Sequence, residues 1–135
     1  MSLIDQESEA VAAVKIGIES QGKGPSKIHD FYGDMSPVHS LNNLAVVVWA
    51  FLSFQDSFDE AIGETICSGW DTDCTGATVG GLIGLDKGSI PALWTDPWQG
   101  RVNTSIAGVG EMALDGLVNR TTALVDKFSL VEDLE

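Results

Sequence analysis

The sequence predicts an all-α fold, a compact helical bundle, and three observations carry that expectation. Apolar residues recur at intervals of three and four in successive stretches, with no run of period-two alternation. Helix punctuation bounds those stretches: Ser57 stands three residues before Glu60 at one start, and Gly22, Gly24 and Pro25 mark one stop. Gly76, Gly80 and Gly84 repeat every four residues, which places them along one face of a helix. A chain of 135 residues, 44% hydrophobic, has the length of a single domain and enough apolar material for a packed core.

Residues 8 to 20 carry Ala10, Val11, Val14 and Ile18 at helical spacing, and these four mark the apolar side of a first helix. Gly22 and Gly24-Pro25 stop it. Gly22 to Pro37 holds three glycines and two prolines and reads as a loop. It contains His29, Tyr32 and Asp34, with His39 just beyond; a lone histidine in such a place is expected as a structural hydrogen-bonding group rather than a ligand. Ser40 to Phe54 is apolar on every side between Leu41 and Leu52, as a central buried helix would be. A buried strand competes, because Val46, Val47 and Val48 are β-branched, but the length and the lack of alternation favour a helix. Asn42 and Asn43 stand where they can cap it.

Gln55 to Cys67 has a clear helix start. Asp56 or Ser57 serves as N-cap, Ser57 and Glu60 make a capping box, and Asp59 and Glu60 suit the positive end of the helix dipole. Phe58, Ala61, Ile62, Thr65 and Ile66 form its stripe, and Gly69 ends it. A helix from about Asp73 to Leu85 then carries the three glycines. Each costs about 1 kcal/mol in a helix interior relative to alanine, so a partner backbone or a ligand is expected to come close to that face. A tight helix–helix crossing is the plainer of the two.

Ser89 or Ile90 lies near the cap of a short helix with Pro91 in its first turn and Ala92, Leu93 and Trp94 inside it. Thr95-Asp96-Pro97-Trp98 breaks that helix. A last amphipathic helix is expected from Asn103 to about Lys127, with Ile106, Val109, Ala113, Leu117, Leu124 and Phe128 on its buried side. Gly108, Gly110 and Gly116 weaken it and allow it to divide in two. Leu130 to Glu135 reads as an acidic tail.

Charge excludes whole classes of partner. Twenty acidic against seven basic residues give a formal net charge of -13. No cluster of lysine and arginine exists to neutralise phosphates, so no nucleic-acid partner is expected, and the same argument excludes anionic membrane surfaces. The apolar run from Leu44 to Leu52 falls far short of the ~20 residues of a membrane span. The first residues show neither a basic nor an apolar segment of a secretory signal, so Cys67 and Cys74 read as free thiols in a reducing, cytoplasmic setting. On that ground the glycosylation patterns at Asn103 and Asn119 are taken as chance.

The stretch with most chemistry is Gly69-Trp70-Asp71-Thr72-Asp73-Cys74-Thr75-Gly76. It packs two carboxylates, two hydroxyls and a thiol between glycines. As a calcium loop it matches an EF-hand at Asp71, Asp73, Thr75 and Gly76. It then fails, with Thr78 where an apolar residue belongs and Leu82 where a bidentate glutamate closes the site. As an N-cap, Asp71 or Asp73 satisfies the free N–H groups of the following helix, which accounts for one carboxylate but not for two. As a Mg²⁺ or Mn²⁺ site, both carboxylates have a use.

Here the chain resembles the ADP-ribosylglycohydrolases. Gly69-Trp70-Asp71-Thr72-Asp73-Cys74-Thr75-Gly76-Ala77 followed by a glycine-rich helix, then Gly88-Ser89-Ile90-Pro91-Ala92-Leu93-Trp94, is similar to that family's C-terminal signature. His39-Ser40-Leu41-Asn42-Asn43-Leu44-Ala45 and Phe58 with Ala61-Ile62 extend the resemblance upstream, to roughly Val38 through Trp94. It implies a helical, dinuclear-metal hydrolase that cleaves ADP-ribose from an acceptor. By motif position, Asp71 and Asp73 are implied as the catalytic metal ligands, with Asp73 bridging. Cys74 stands where the family usually offers a hydroxyl to a metal, and Gly69, Trp70 and Thr72 line the substrate.

The family's other ligands come from an N-terminal half with a Thr-Asp-Asp motif, which this sequence does not contain. The resemblance therefore implies the C-terminal portion of the fold, inactive alone, completed by the missing half or by a homodimer partner. The alternative is a helical interaction module in which Asp71 and Asp73 only cap a helix.

Overall fold

A computed structural model describes residues 3–132. The chain divides into two compact units, Met1–Ile90 and Pro91–Glu135. Helices dominate both, and the expected all-helical class is met apart from one small two-stranded sheet.

The first unit is built on α3 (Ser40–Ser53), which packs against α1 (Leu3–Glu19), α2 (Ser26–Tyr32), α4 (Phe58–Cys67) and α5 (Thr72–Lys87). Its all-round apolarity requires that arrangement, because every side of the helix needs cover. Ala45, Val46, Trp49 and Ala50 are inaccessible or nearly so, and the Trp49 ring meets Phe54 edge-on at 5.7 Å. Burial of each large apolar side chain here contributes about 1.5–3 kcal/mol relative to exposure.

His39, not Asn42 or Asn43, caps α3: its Nδ1 accepts the Leu41 N–H at 3.2 Å. Both asparagines turn back to the preceding loop instead. Asn42 Nδ2 donates to the Ser36 carbonyl and Asn43 Nδ2 to those of Pro37 and His39. The β-region backbone of His39 gives it the cap geometry, which the asparagines inside the helix lack.

α1 buries a different side from the one its large residues suggest. Ala13, Ile16, Gly17 and Ser20 face inward, whereas Val11 and Ile18 are about half exposed. Close approach explains the choice. A Cβ on Gly17 would stand 2.7 Å from the Ala45 carbonyl oxygen and 2.8 Å from Val48 Cβ, so α1 crosses α3 backbone to backbone and selects its small residues.

The stretch expected as a loop contains α2. Pro25 starts it, Ile28 and Tyr32 are buried one turn apart, and this i,i+4 pair anchors the helix in the core. Glycines and prolines frame seven residues that hold no breaker.

α4 and α5 form an antiparallel hairpin. Ser57 Oγ accepts the Glu60 N–H at 3.3 Å, as the capping pattern predicts. Cβ atoms on Gly76 and Gly80 would meet Ile66 at 3.5 Å and Ile62 at 3.0 Å, and one on Gly84 would meet Ile90 at 3.2 Å. At Gly76 and Gly80 the glycine face is thus a helix crossing, the plainer of its two expected uses, and at Gly84 it admits Ile90 of the segment that follows α5.

The second unit holds α6 (Ala92–Thr95), a 3₁₀ turn (Asp96–Trp98), β1 (Arg101–Asn103), β2 (Glu111–Ala113) and α7 (Leu114–Glu132). Pro91 itself, with ψ 137°, takes the cap position of α6, in place of Ser89 or Ile90. Asp96-Pro97-Trp98 continues the helical path in tighter form rather than breaking it.

The expected helix from Asn103 is instead a β-hairpin followed by α7. Val102 pairs with Met112 in antiparallel register, and Gly108 and Gly110 take φ of +76° and +61° in the connection, a backbone that no helix accommodates. Ile106, Leu124 and Phe128, expected inside, are more than half exposed. Of the expected acidic tail, 133–135 lie outside the described residues.

Candidate metal centre

The acidic turn joins the two helices of the hairpin. Ser68 closes α4, Gly69 and Trp70 follow at φ +83° and +61°, and Asp71 leads into α5. Two consecutive left-handed residues reverse the chain in the shortest span. Gly69 takes that backbone freely, but Trp70 does so at about 1–2 kcal/mol, so surrounding contacts must hold it.

Those contacts come from α2. His29 Nε2 donates to the Ser68 carbonyl at 2.7 Å, and its ring lies 4.1 Å from the Trp70 ring. A carbonyl can only accept, so this nitrogen carries the proton. Gly69 N–H donates to Ile66 and Ser68 Oγ to Thr65, both through carbonyl oxygens at 3.1 and 2.7 Å.

Beyond the bend, the Asp71 carbonyl accepts both the N–H and the hydroxyl of Thr75, each at 3.0 Å. The Asp71 side chain makes no cap hydrogen bond, and its carboxylate meets the Cys74 thiol instead. Asp73 occupies the first turn of α5, exposed, where the helix dipole favours negative charge. One carboxylate oxygen from each of Asp71 and Asp73 and the Cys74 sulfur lie within 4.8 Å of one another.

The thiol is held in its neutral form. Its hydrogen bond to Asp71 raises the Cys74 pKa most, the Asp71 charge adds to this, and desolvation and Asp73 contribute less. Cys74 and Cys67 are both free and exposed.

Two adjacent carboxylates suit a hard, oxygen-seeking divalent cation. A thiol whose proton is held by one of those carboxylates does not. Asp71 and Asp73 therefore fit the group, and Cys74 fits it only as a neighbour.

The six residues that the family resemblance implies for the site sit in this one turn: Gly69 and Trp70 at its bend, Asp71 at its exit, Thr72 as the first residue of α5, Asp73 and Cys74 just inside. Thr72 offers its carbonyl to the Thr75 hydroxyl at 3.4 Å. The half-buried Trp70 ring packs on His29 and against the core. A structural hydrogen-bonding role is what the sequence predicts for His29, and the structure supplies its target, 39 residues away. No spacing rule links residues that far apart.

The fold and the turn define a class rather than a particular protein: a helical domain whose turn between two antiparallel helices groups two carboxylates and a thiol. A sequence model of the family described as ADP-ribosylglycohydrolase matches residues 3–128, and the chain belongs to that family. The match reaches well beyond the motif-bearing stretch, from α1 into α7. No curated protein and no solved structure matches the chain. The family is one of helical hydrolases that are in general metal-dependent, and the acidic turn of this chain groups atoms of the kind that hold a metal. Among the described residues no helix is long and apolar enough to cross a membrane.

Proposed function

We propose that this chain contributes the Asp71–Asp73 jaw of a divalent-metal site that hydrolyses the glycosidic bond between ADP-ribose and an acceptor. The observation that carries the reading is the grouping of two carboxylates and a thiol within 4.8 Å on the turn that bears the family motif. Asp71 and Asp73 hold Mg²⁺ or Mn²⁺, in the dinuclear arrangement that the family resemblance implies. When bound, such a metal pair supplies Lewis-acid polarisation and a template for water. The chain's own residues set where that happens: the left-handed Gly69–Trp70 bend aims Asp71, and the first turn of α5 aims Asp73.

Two carboxylates leave an octahedral cation to complete its shell with water. We therefore expect weak metal affinity and little turnover from this chain alone, with opposing carboxylates supplied by a second copy or by a partner corresponding to the family's N-terminal half. The competing module, in which the aspartates only cap a helix, is disfavoured by the missing side-chain cap at Asp71.

The test is a titration of Mn²⁺ or Mg²⁺ into the wild type and Asp73→Ala, with ADP-ribose present, followed by melting temperature. A rise in the wild type that is lost in the variant is expected. Identical curves would remove the metal site. Release of ADP-ribose from a modified substrate by the isolated chain would instead overturn the expectation of low turnover.

A further inference from the structure

We propose that His29 is a positioning residue for the acidic turn, a latch that sets the direction of Asp71 without touching the cation; this rests on the metal reading given above. Three observations converge on it. The imidazole donates to the Ser68 carbonyl at 2.7 Å, so it fixes the peptide just before the bend. Its ring covers Trp70 at 4.1 Å with a 35° tilt, so it fixes the side chain of the one non-glycine residue held left-handed at the bend. It rides on α2, whose neighbouring Ile28 is fully buried and whose Tyr32 is 3% exposed, so its own place is set by the core and not by the turn.

The connection to the site is short. Ser68, Gly69 and Trp70 are the residues immediately before Asp71, whose carboxylate makes no cap bond and meets the exposed Cys74 thiol. Nothing within 4 Å would meet a Cβ on Gly69, so packing around that glycine does not restrain the bend. Restraint therefore comes from the two ends. Downstream, the Thr75 N–H and hydroxyl hold the Asp71 carbonyl. Upstream, His29 holds Ser68 and Trp70. Without the upstream hold, the Trp70 ring keeps only its core packing and Ser68 loses its donor, so Trp70 leaves the left-handed region for an ordinary one more readily. That rotation turns the peptide entering Asp71 and moves its carboxylate away from Asp73.

The experiment compares wild type, His29→Ala, His29→Gln and Asp73→Ala in the full chain. It reads the Mn²⁺ dissociation constant and, without metal, residue-resolved amide exchange. Outer residues that orient metal ligands typically change affinity by about 10–100-fold on mutation. His29→Ala should weaken Mn²⁺ binding by about tenfold and speed exchange at Gly69 and Thr75, while Val79 and Ile83 deeper in α5 keep their protection. His29→Gln retains an N–H donor and should restore part of the protection at Gly69; it also serves if the alanine variant does not fold.

Unchanged exchange at Gly69 and Thr75 in the variants would overturn the latch, as would an acceleration spread evenly through α5. Should wild type and Asp73→Ala both ignore Mn²⁺, the metal reading fails on its own, and the exchange measurement still decides whether His29 holds the turn.

Discussion

Cys74 shows how one residue changes the meaning of a motif. Placed beside two aspartates it completes a group of ligating atoms by distance, yet its S–H donates a hydrogen bond to Asp71, which raises its pKa, so the sulfur stays neutral. The sign is testable. A thiol must lose its proton to react with an alkylating reagent, so a raised pKa slows alkylation at mildly alkaline pH and moves the rate profile upward. In a Cys67→Ser background, Asp71→Asn removes the charge and the stronger acceptor. Alkylation of Cys74 by iodoacetamide at pH 8 should then speed several-fold, with the midpoint of its rate–pH profile moving down. An unchanged profile would mean that Asp71 does not hold the thiol proton.

At the scale of elements, glycine has two distinct meanings here. Gly17 sits where α1 meets the α3 backbone, and a Cβ would overlap the Ala45 carbonyl oxygen. Gly17→Ala should therefore destabilise by about 1–3 kcal/mol through overpacking. Gly76 has only the Ile66 side chain at ordinary contact distance, so Gly76→Ala should be neutral or stabilise by up to about 1 kcal/mol from helix propensity. Urea denaturation of both variants checks the contrast, and equal losses would show that Gly76 is as crowded as Gly17.

The same distinction explains which elements were legible in the sequence. Apolarity placed α3, and the Ser57–Glu60 pair placed α4, because both signals are local. The buried side of α1 was hidden, because the helix meets α3 through Ala13 and Gly17 beside Ile16, while Val11 and Ile18 stay half exposed, so size alone does not mark the inner face. α2 was hidden by the glycines and prolines that frame it, and the β-hairpin by apolar residues that happen to fit a helical period. In the site, Asp71, Asp73 and Cys74 were legible because they are contiguous. The target of His29 was not, because only the packing of α2 on the core brings it to the turn.

Across the whole molecule, burial is unevenly divided. The core cluster lies entirely within the first unit, and among the described residues the second unit contributes none that is fully buried. Amide exchange in the intact chain should reflect this. The slowest amides are expected in α3 and α5, around Ala45 to Ala50 and at Val79 and Ile83, and protection in 91–128 should be lower throughout. Comparable protection in α7 would show that the second unit has a source of stability beyond its own packing.

The α4–α5 hairpin has a kinetic consequence. Its partners are separated by short stretches of chain, as Ile62 and Gly80 are, and local contacts of this kind form early because little loop entropy opposes them. The hold of His29 on Ser68 spans 39 residues and waits for α2 to dock. The acidic turn should therefore acquire its outline in the folding transition state and its final aim only afterwards. In stopped-flow refolding, Ile62→Val should slow folding with little effect on unfolding, whereas His29→Ala should mainly speed unfolding. The reverse pattern would put docking of α2 ahead of the hairpin, and the turn would then be shaped by its latch from the outset.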